Sequence, residues 1–453
     1  MKGKSDIDGM LPFGKMSMLS IQHVLAFYSG GVAIPLIVGA GLGLSPQEIG
    51  ILIAADLFTC GIATIIQSLG IGKHIGIRLP VILGCAFAPI AVIISTGNNF
   101  GITTVYGSII IAGVFIFLIA PLFGKILKLF PPVVTGSVVC IIGLSLIPNS
   151  VTDIGGGAQV VETDLFGAPQ FLFLTGITLL LVVIINRFTK GFMKSISILI
   201  GLIAGTIIAA FMGLVDPTPL FEASWFQFVK PFHFGLPTFN LQAIISMCIV
   251  MLIVMIESTG TFFVIGNYVG KDIGEKEVTK GLRAEGIATV LGGIFNSFPY
   301  KTYSGNAGLV GLTRVNSRFV VVLAGIFLFV LGLLPKFAAL ATMIPRPVLG
   351  AVMLIMFSMI VTSGIEMLQK VNLKKQGNVF VIAISIGAGL GVTFHPEIFS
   401  HAPDMVKMLL ENGIVVGSVI AVILNLIMNG LNKVDDIEDI EEDTVVTGRT
   451  LTE

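Results

Sequence analysis

Apolar runs alternate with short polar breaks along almost the whole chain. Hydropathy divides them at 17–40, 46–68, 80–96, 102–124, 131–149, 169–186, 191–214, 241–266, 281–297, 304–313, 317–334, 344–364, 377–394 and 412–431. A helix needs roughly 20 apolar residues to cross the hydrocarbon core. The pattern therefore predicts an all-α polytopic membrane protein with fourteen elements. Two of them, 80–96 and 304–313, are short and interrupted by Gly or Pro. The second lies within Asn296–Arg318, a stretch rich in Gly, Ser, Thr, Asn and Tyr. Non-helical backbone at membrane depth survives only where protein surrounds it or a watery cavity receives it. Secondary transporters place substrates at such broken segments. Ser304-Gly305-Asn306 is accordingly read as opening a short helix whose free N–H groups face a polar ligand. A re-entrant loop that merely packs is the plainer alternative.

The pattern also repeats. Phe130-Pro131-Pro132-Val133-Val134-Thr135-Gly136 opens the fifth element, and Ile344-Pro345-Arg346-Pro347-Val348-Leu349-Gly350 opens the twelfth, 214 residues later. Seven elements separate the copies, and an odd number inverts the second copy in the membrane. The interrupted elements, third and tenth, are also seven apart. This is the signature of a 7+7 inverted repeat with a site between the halves.

Charge adds an orientation. With both termini cytoplasmic, 21 Lys and Arg fall on the inside and 5 on the outside, namely Lys230, Lys301, Lys336, Arg346 and Lys407. That asymmetry is what the positive-inside rule expects. The first 15 residues are polar and Lys-bearing, so no cleavable signal is expected. Net charge is zero and no basic stripe suggests nucleic acid. The outside loops 150–168 and 215–240, with Trp225 and several Phe, read as interfacial anchors. The acidic tail Asp435–Glu442 reads as solvated. Cys60, Cys85, Cys140 and Cys248 sit in apolar segments without metal-ligand spacing, so neither a metal nor a cofactor is expected.

Ionisable groups inside apolar segments are costly and ask for a reason. Glu257, followed by Thr259, Gly260 and Thr261, gives one polar helix face with room for a ligand, suited to proton coupling. His23 in the first element and Glu285 in the ninth are weaker candidates. His23 could simply join helices, and Glu285 could pair with Arg283 or Arg314. Phe87, in the other interrupted element, could stack on a flat ligand.

Taken in order, these residues resemble the nucleobase–ascorbate transporters (nucleobase:cation symporter-2), and in particular the bacterial xanthine and urate permeases. The family pattern (Gln/Glu)-Asn-x-Gly-x4-Thr runs over Gly305-Asn306-Ala307-Gly308 to Thr313. Gln22-His23, Glu257-Ser258-Thr259-Gly260 and Glu285 match further family positions. The stretches Ala55–Thr64 and Arg78–Cys85 also look like the xanthine and urate permeases.

The resemblance implies a core domain (17–128 and 241–334) and a gate domain (129–240 and 335–431), flanked by a cytoplasmic N-terminus (1–16) and tail (432–453). Segments 3 and 10 would each give a short strand before a half-helix. A nucleobase would bind between them, held by Glu257, Phe87 and Ser304, Gly305 and Asn306, with protons moving along. Two positions depart from the family: Gly305 replaces Gln or Glu, and Thr261 stands where relatives carry Asp or His. Coupling would then fall to Glu257, Glu285 or His23.

The expectation is a proton-coupled importer of xanthine or urate in the cytoplasmic membrane, with sodium the alternative ion and a homodimer compatible with it. A uracil carrier is the nearest rival. An anion transporter on the same fold is disfavoured by Glu257 and by the lack of Lys or Arg at mid-depth. An intramembrane enzyme lacks a nucleophile–base cluster.

Overall fold

The computed structural model describes residues 7–126, 129–403, 407 and 409–430; the acidic tail Asp435–Glu442 lies outside them. The chain is almost wholly helical. Its helices, in order, are α1 (Phe13–Gly31), α2 (Ala33–Gly41), α3 (Pro46–Leu69), α4 (Ile90–Phe100), α5 (Ile102–Ile119), α6 (Phe123–Ile126), α7 (Pro132–Ile154), α8 (Pro169–Phe188), α9 (Phe192–Ser195) and α10 (Ser197–Phe211). They continue with α11 (Thr218–Glu222), α12 (Leu241–Val269), α13 (Glu275–Ile294), α14 (Ser304–Thr313), α15 (Arg318–Gly332), α16 (Pro335–Thr342), α17 (Arg346–Leu368), α18 (Gln376–Phe394) and a last helix, Gly413–Asn429.

The helices fall along the predicted apolar runs, but not one to one. Among the described residues, eight helices are long and apolar enough to span a membrane, and a ninth span arises if α15 and α16, bent by 79°, count as one. The first segment is two helices, broken at Val32. Both copies of the Pro-Val repeat open long helices, α7 and α17.

The chain forms two compact units. One comprises the described residues up to Pro121 together with Pro148–Met356; the other comprises Leu122–Ile147 and the described residues from Phe357 onward. In the first unit, α3 packs extensively on α15, and α5 on α13. In segment numbers these are pairs 2–11 and 4–9, which exchange under a shift of seven, as an inverted repeat requires. Both contacts are backbone-close. A Cβ on Gly61 would stand 2.5 Å from the carbonyl oxygen of Gly325, and one on Gly113 would stand 2.6 Å from the amide nitrogen of Val290. Without a hydrophobic force between helices in lipid, such small-residue contacts let dispersion hold the pair. In the second unit, α18 packs on Gly413–Asn429, with Asn429 hydrogen-bonded to Asn378 and Asn425 at 2.9 Å each.

The loop 215–240 also belongs to the first unit. Trp225 is exposed with Lys336 over its ring, while the Gln227 N–H donates to the Leu333 carbonyl. An exposed indole beside a cation suits an interfacial anchor.

At the centre of the first unit lies a two-stranded antiparallel ribbon. Strand β1 (Leu83–Cys85) pairs with β2 (Tyr300–Thr302) in the register Leu83↔Thr302, Gly84↔Lys301 and Cys85↔Tyr300. Such a short ribbon leaves edge groups that must find partners away from water. Helix side chains supply them. Thr64 accepts from the Leu83 N–H (3.1 Å) and Thr289 from the Tyr300 N–H (3.2 Å). The Thr302 N–H donates to Glu285 Oε1 (2.9 Å) and Ser258 Oγ (3.2 Å). Each strand then feeds a shorter helix, β1 into α4 and β2 into α14.

Candidate functional site

The site grows out of this ribbon. Helix α12, at 29 residues, is capped by Asn240, whose Oδ1 accepts from the Gln242 and Ala243 N–H groups, and ends on Gly270 in the left-handed region. At 1.5 Å per residue it is about 44 Å long, ample to carry Glu257 deep into the unit. There the Glu257 carboxylate forms an ion pair with the ammonium of Lys301 on β2. The two side chains are 13% and 16% exposed.

This corrects two expectations. Lys301 is not in an outer loop, and a lysine does stand beside the central carboxylate. The reason is the ribbon: side chains alternate across a strand, so Tyr300 and Thr302 are buried while Lys301 between them is not fully so. The sequence carried the signal, a lysine between apolar elements flanked by aromatic and β-branched residues.

Glu285 is 1% exposed. Its Oε1 accepts from both the N–H (2.9 Å) and the hydroxyl (2.7 Å) of Thr302. It thus braces β2 rather than pairing with Arg283, whose guanidinium lies over the Phe117 ring, or with Arg314, the left-handed residue ending α14. Asn306 is also buried, and its Nδ2 donates to the Pro80 carbonyl (2.8 Å), stapling α14 to the chain entering β1. His23 of α1, 3% exposed, faces the Asn306 side chain. Phe87 is buried just beyond β1, its carbonyl accepting from the Ile90 N–H where α4 begins. Ser304 and Gly305, in the first turn of α14, are exposed. The structure therefore gathers the predicted residues around one ribbon. Glu257, Ser304 and Gly305 remain accessible; Glu285, Asn306 and His23 act from behind. A separate cavity of about 290 Å³, lined in part by Gln47, Glu222, Lys230 and His233, touches none of the predicted site residues.

Two further residues went unread in the sequence. Asp56 of α3 is 1% exposed, and its Oδ1 accepts from Cys85 Sγ, Ser297 Oγ (3.0 Å) and Tyr300 Oη (2.9 Å). The second is Tyr303. Its ring carbon lies 2.7 Å from where a Cβ on Gly305 would stand, and it packs edge-on against Phe27 with centroids 5.3 Å apart. The ring fills the space a side chain at 305 would use, which gives the glycine there a physical reason. Gly305→Gln should therefore overpack this corner by about 1–3 kcal/mol and depress uptake roughly tenfold. The double variant with Tyr303→Ala should recover most of it. Thermal melting of the three variants checks the overpacking; a double variant no better than Gly305→Gln would show that Tyr303 is not the obstacle.

As chemistry, the arrangement offers an accessible acid–base pair, an exposed helix N-terminus and a nearby aromatic ring. Among the described residues no group of His, Cys, Asp and Glu is placed to hold a metal ion.

Comparison with known proteins gives the family. The model of the Permease family matches residues 14–398. The chain is 45% identical to a xanthine permease of Bacillus subtilis, with 94% of this chain and 96% of that protein covered. It is 47% identical to the uric acid permease PucJ of the same organism, with 91% and 92% covered. In structure it is similar to the transmembrane domain of the cyanobacterial bicarbonate transporter BicA, with a TM-score of 0.59, 16% identity and coverage of 93% and 100%. At that identity the likeness speaks to the fold alone. The chain is thus a multi-pass membrane transporter and belongs to the permease family of the nucleobase–ascorbate transporters.

Proposed function

We propose that this protein carries a purine nucleobase, xanthine or urate, into the cell across the cytoplasmic membrane together with protons. Relatives named for xanthine and uric acid, covered over nearly their whole length, support the substrate class. The observation that carries the reading is Glu257, an accessible carboxylate at the ribbon beside the exposed first turn of α14. A purine presents alternating N–H and C=O groups on one edge. Glu257 can accept from such an N–H, and the free amides at Ser304 and Gly305 can donate to such a C=O. Phe87 contributes an aromatic ring from the other broken segment.

In this reading the core, 17–128 with 241–334, moves against the gate, 129–240 with 335–431, and exposes the site alternately to each side. Glu257 takes a proton when the site faces outward and releases it inside. Glu285 and His23 hold the ribbon and α14 in place while this happens.

The test is uptake of radiolabelled xanthine into cells lacking their own purine permeases. Excess urate should compete and excess uracil should not, and a protonophore should abolish accumulation. Well-expressed protein that takes up no xanthine would overturn the substrate assignment. Accumulation that survives the protonophore would overturn proton coupling.

A further inference from the structure

Lys301 has no part in that scheme, yet it is the basic residue that meets Glu257. A lysine kept from water is costly unless a negative group faces it. Glu257 is that group, so the ammonium is satisfied. Lys301 holds Oε2 of Glu257, so a ligand that takes that oxygen loosens it from Lys301 and leaves the ammonium without its counter-ion. A neutral base cannot cancel that charge. An anion can.

We propose that Lys301 is a substrate-selecting residue, and that the site takes its oxopurine as the monoanion formed by loss of an acidic ring N–H. This rests on the oxopurine reading above and narrows it to those oxopurines acidic enough to ionise near neutral pH, urate foremost. The anion's deprotonated nitrogen and adjacent oxygen face the Lys301 ammonium, and the displaced Glu257 takes up one proton from the outer solution. Empty, the pair sums to zero charge. Loaded, the ammonium, the base anion and a neutral Glu257 again sum to zero. One proton therefore accompanies each anion, and neither form carries net charge at this pair, which removes the electrostatic cost of moving it. On the inner side the proton leaves Glu257, the anion departs, and the ion pair closes again.

The other titratable groups around the ribbon are Glu285 on α13, Asp56 and Cys60 on α3, His23 on α1, Cys85 and Tyr300 in the strands, and Tyr303 just after β2. Glu285 is close enough to act electrostatically on Lys301 but is engaged by Thr302, and Asp56 is engaged by the hydroxyls of Ser297 and Tyr300. Among the described residues Glu257 alone of the carboxylates is ion-paired to Lys301.

The deciding experiment measures binding to purified protein, by ligand-induced thermal stabilisation, of urate and of hypoxanthine, which stays neutral near pH 7. Losing a hydrogen bond to a charged partner should weaken urate by about ten- to a hundredfold in Lys301→Gln. Hypoxanthine should change less than about threefold, and Lys301→Arg, which keeps the charge, should hold urate close to the wild-type level. The double variant Lys301→Gln with Glu257→Gln, which leaves no unpaired charge, controls for folding and should still fail to bind urate. Wild-type urate binding in Lys301→Gln would overturn the inference and leave the oxopurine reading standing. So would equal loss of both bases there with recovery of both in the double variant, because Lys301 would then only mask Glu257. Wild-type protein that binds no oxopurine would remove the substrate reading itself, and the inference with it.

Discussion

Glu257→Gln should abolish accumulation of base against its gradient while leaving downhill exchange measurable. In the proposed scheme the amide cannot carry the proton, and it strands the Lys301 ammonium in a partly buried site. Removing one partner of a buried ion pair costs about 3–5 kcal/mol. Here the side chains keep 13% and 16% exposure, which places the cost toward the lower end. That is still about a hundredfold in whichever conformation needs the pair closed. The measurement is the ratio of internal to external labelled base in vesicles with an imposed proton gradient. Base-for-base exchange without a gradient, run alongside, reports on folding and binding. Unchanged uphill uptake in the variant would rule out Glu257 as the coupling group.

The second large effect is structural. Asp56 Oδ1 collects a thiol from β1 and two hydroxyls from the β2 side, so Asp56→Ala removes the acceptor that three buried donors share. Tyr300 Oη keeps the Asp56 main-chain carbonyl at 3.1 Å and Ser297 can still bond Tyr300 at 2.8 Å, which limits the loss. Unsatisfied buried groups cost about 1–3 kcal/mol apiece, so the alanine variant should lose about 2–4 kcal/mol. Asp56→Asn retains an oxygen that can serve all three donors and should stay near wild type. Thermal melting of the detergent-purified proteins distinguishes them. If the alanine and asparagine variants both melt like the wild type, the cluster does not hold the ribbon.

Much of this was legible in the sequence because lipid makes it so. Apolar runs had to become helices, and the two interrupted segments had to be shielded, which is why both were located and why each turns out to be a strand followed by a shorter helix. Glu257 was legible because a carboxylate inside an apolar run stands out. Asp56 was equally visible by that rule, but its role was not, since it depends on Cys85, Ser297 and Tyr300 arriving from distant parts of the chain. Lys301 was misplaced because three strand residues are too few to show a period of two, so it was counted with the loops. Glu285 stood out by the same rule, but its partner is Thr302 on the neighbouring β2, not an arginine. Tyr303 gave no signal at all. Its relation to Gly305 is a matter of where a ring lies, and spacing along the chain does not encode that.

The ribbon also has a consequence for how the protein is made. Leu83 and Thr302, which pair across it, lie 219 positions apart, so β1 leaves the ribosome well before its partner exists. At about 5–20 residues per second, the wait is roughly 10–45 s. Thr64, on the helix just before it, can already accept from Leu83, but the ladder bonds must be borne by water or by the insertion machinery until Tyr300–Thr302 arrives. The first half of this transporter is therefore born with one strand of its central ribbon unpaired, and closing that ribbon is an act of assembly that only the second half can complete.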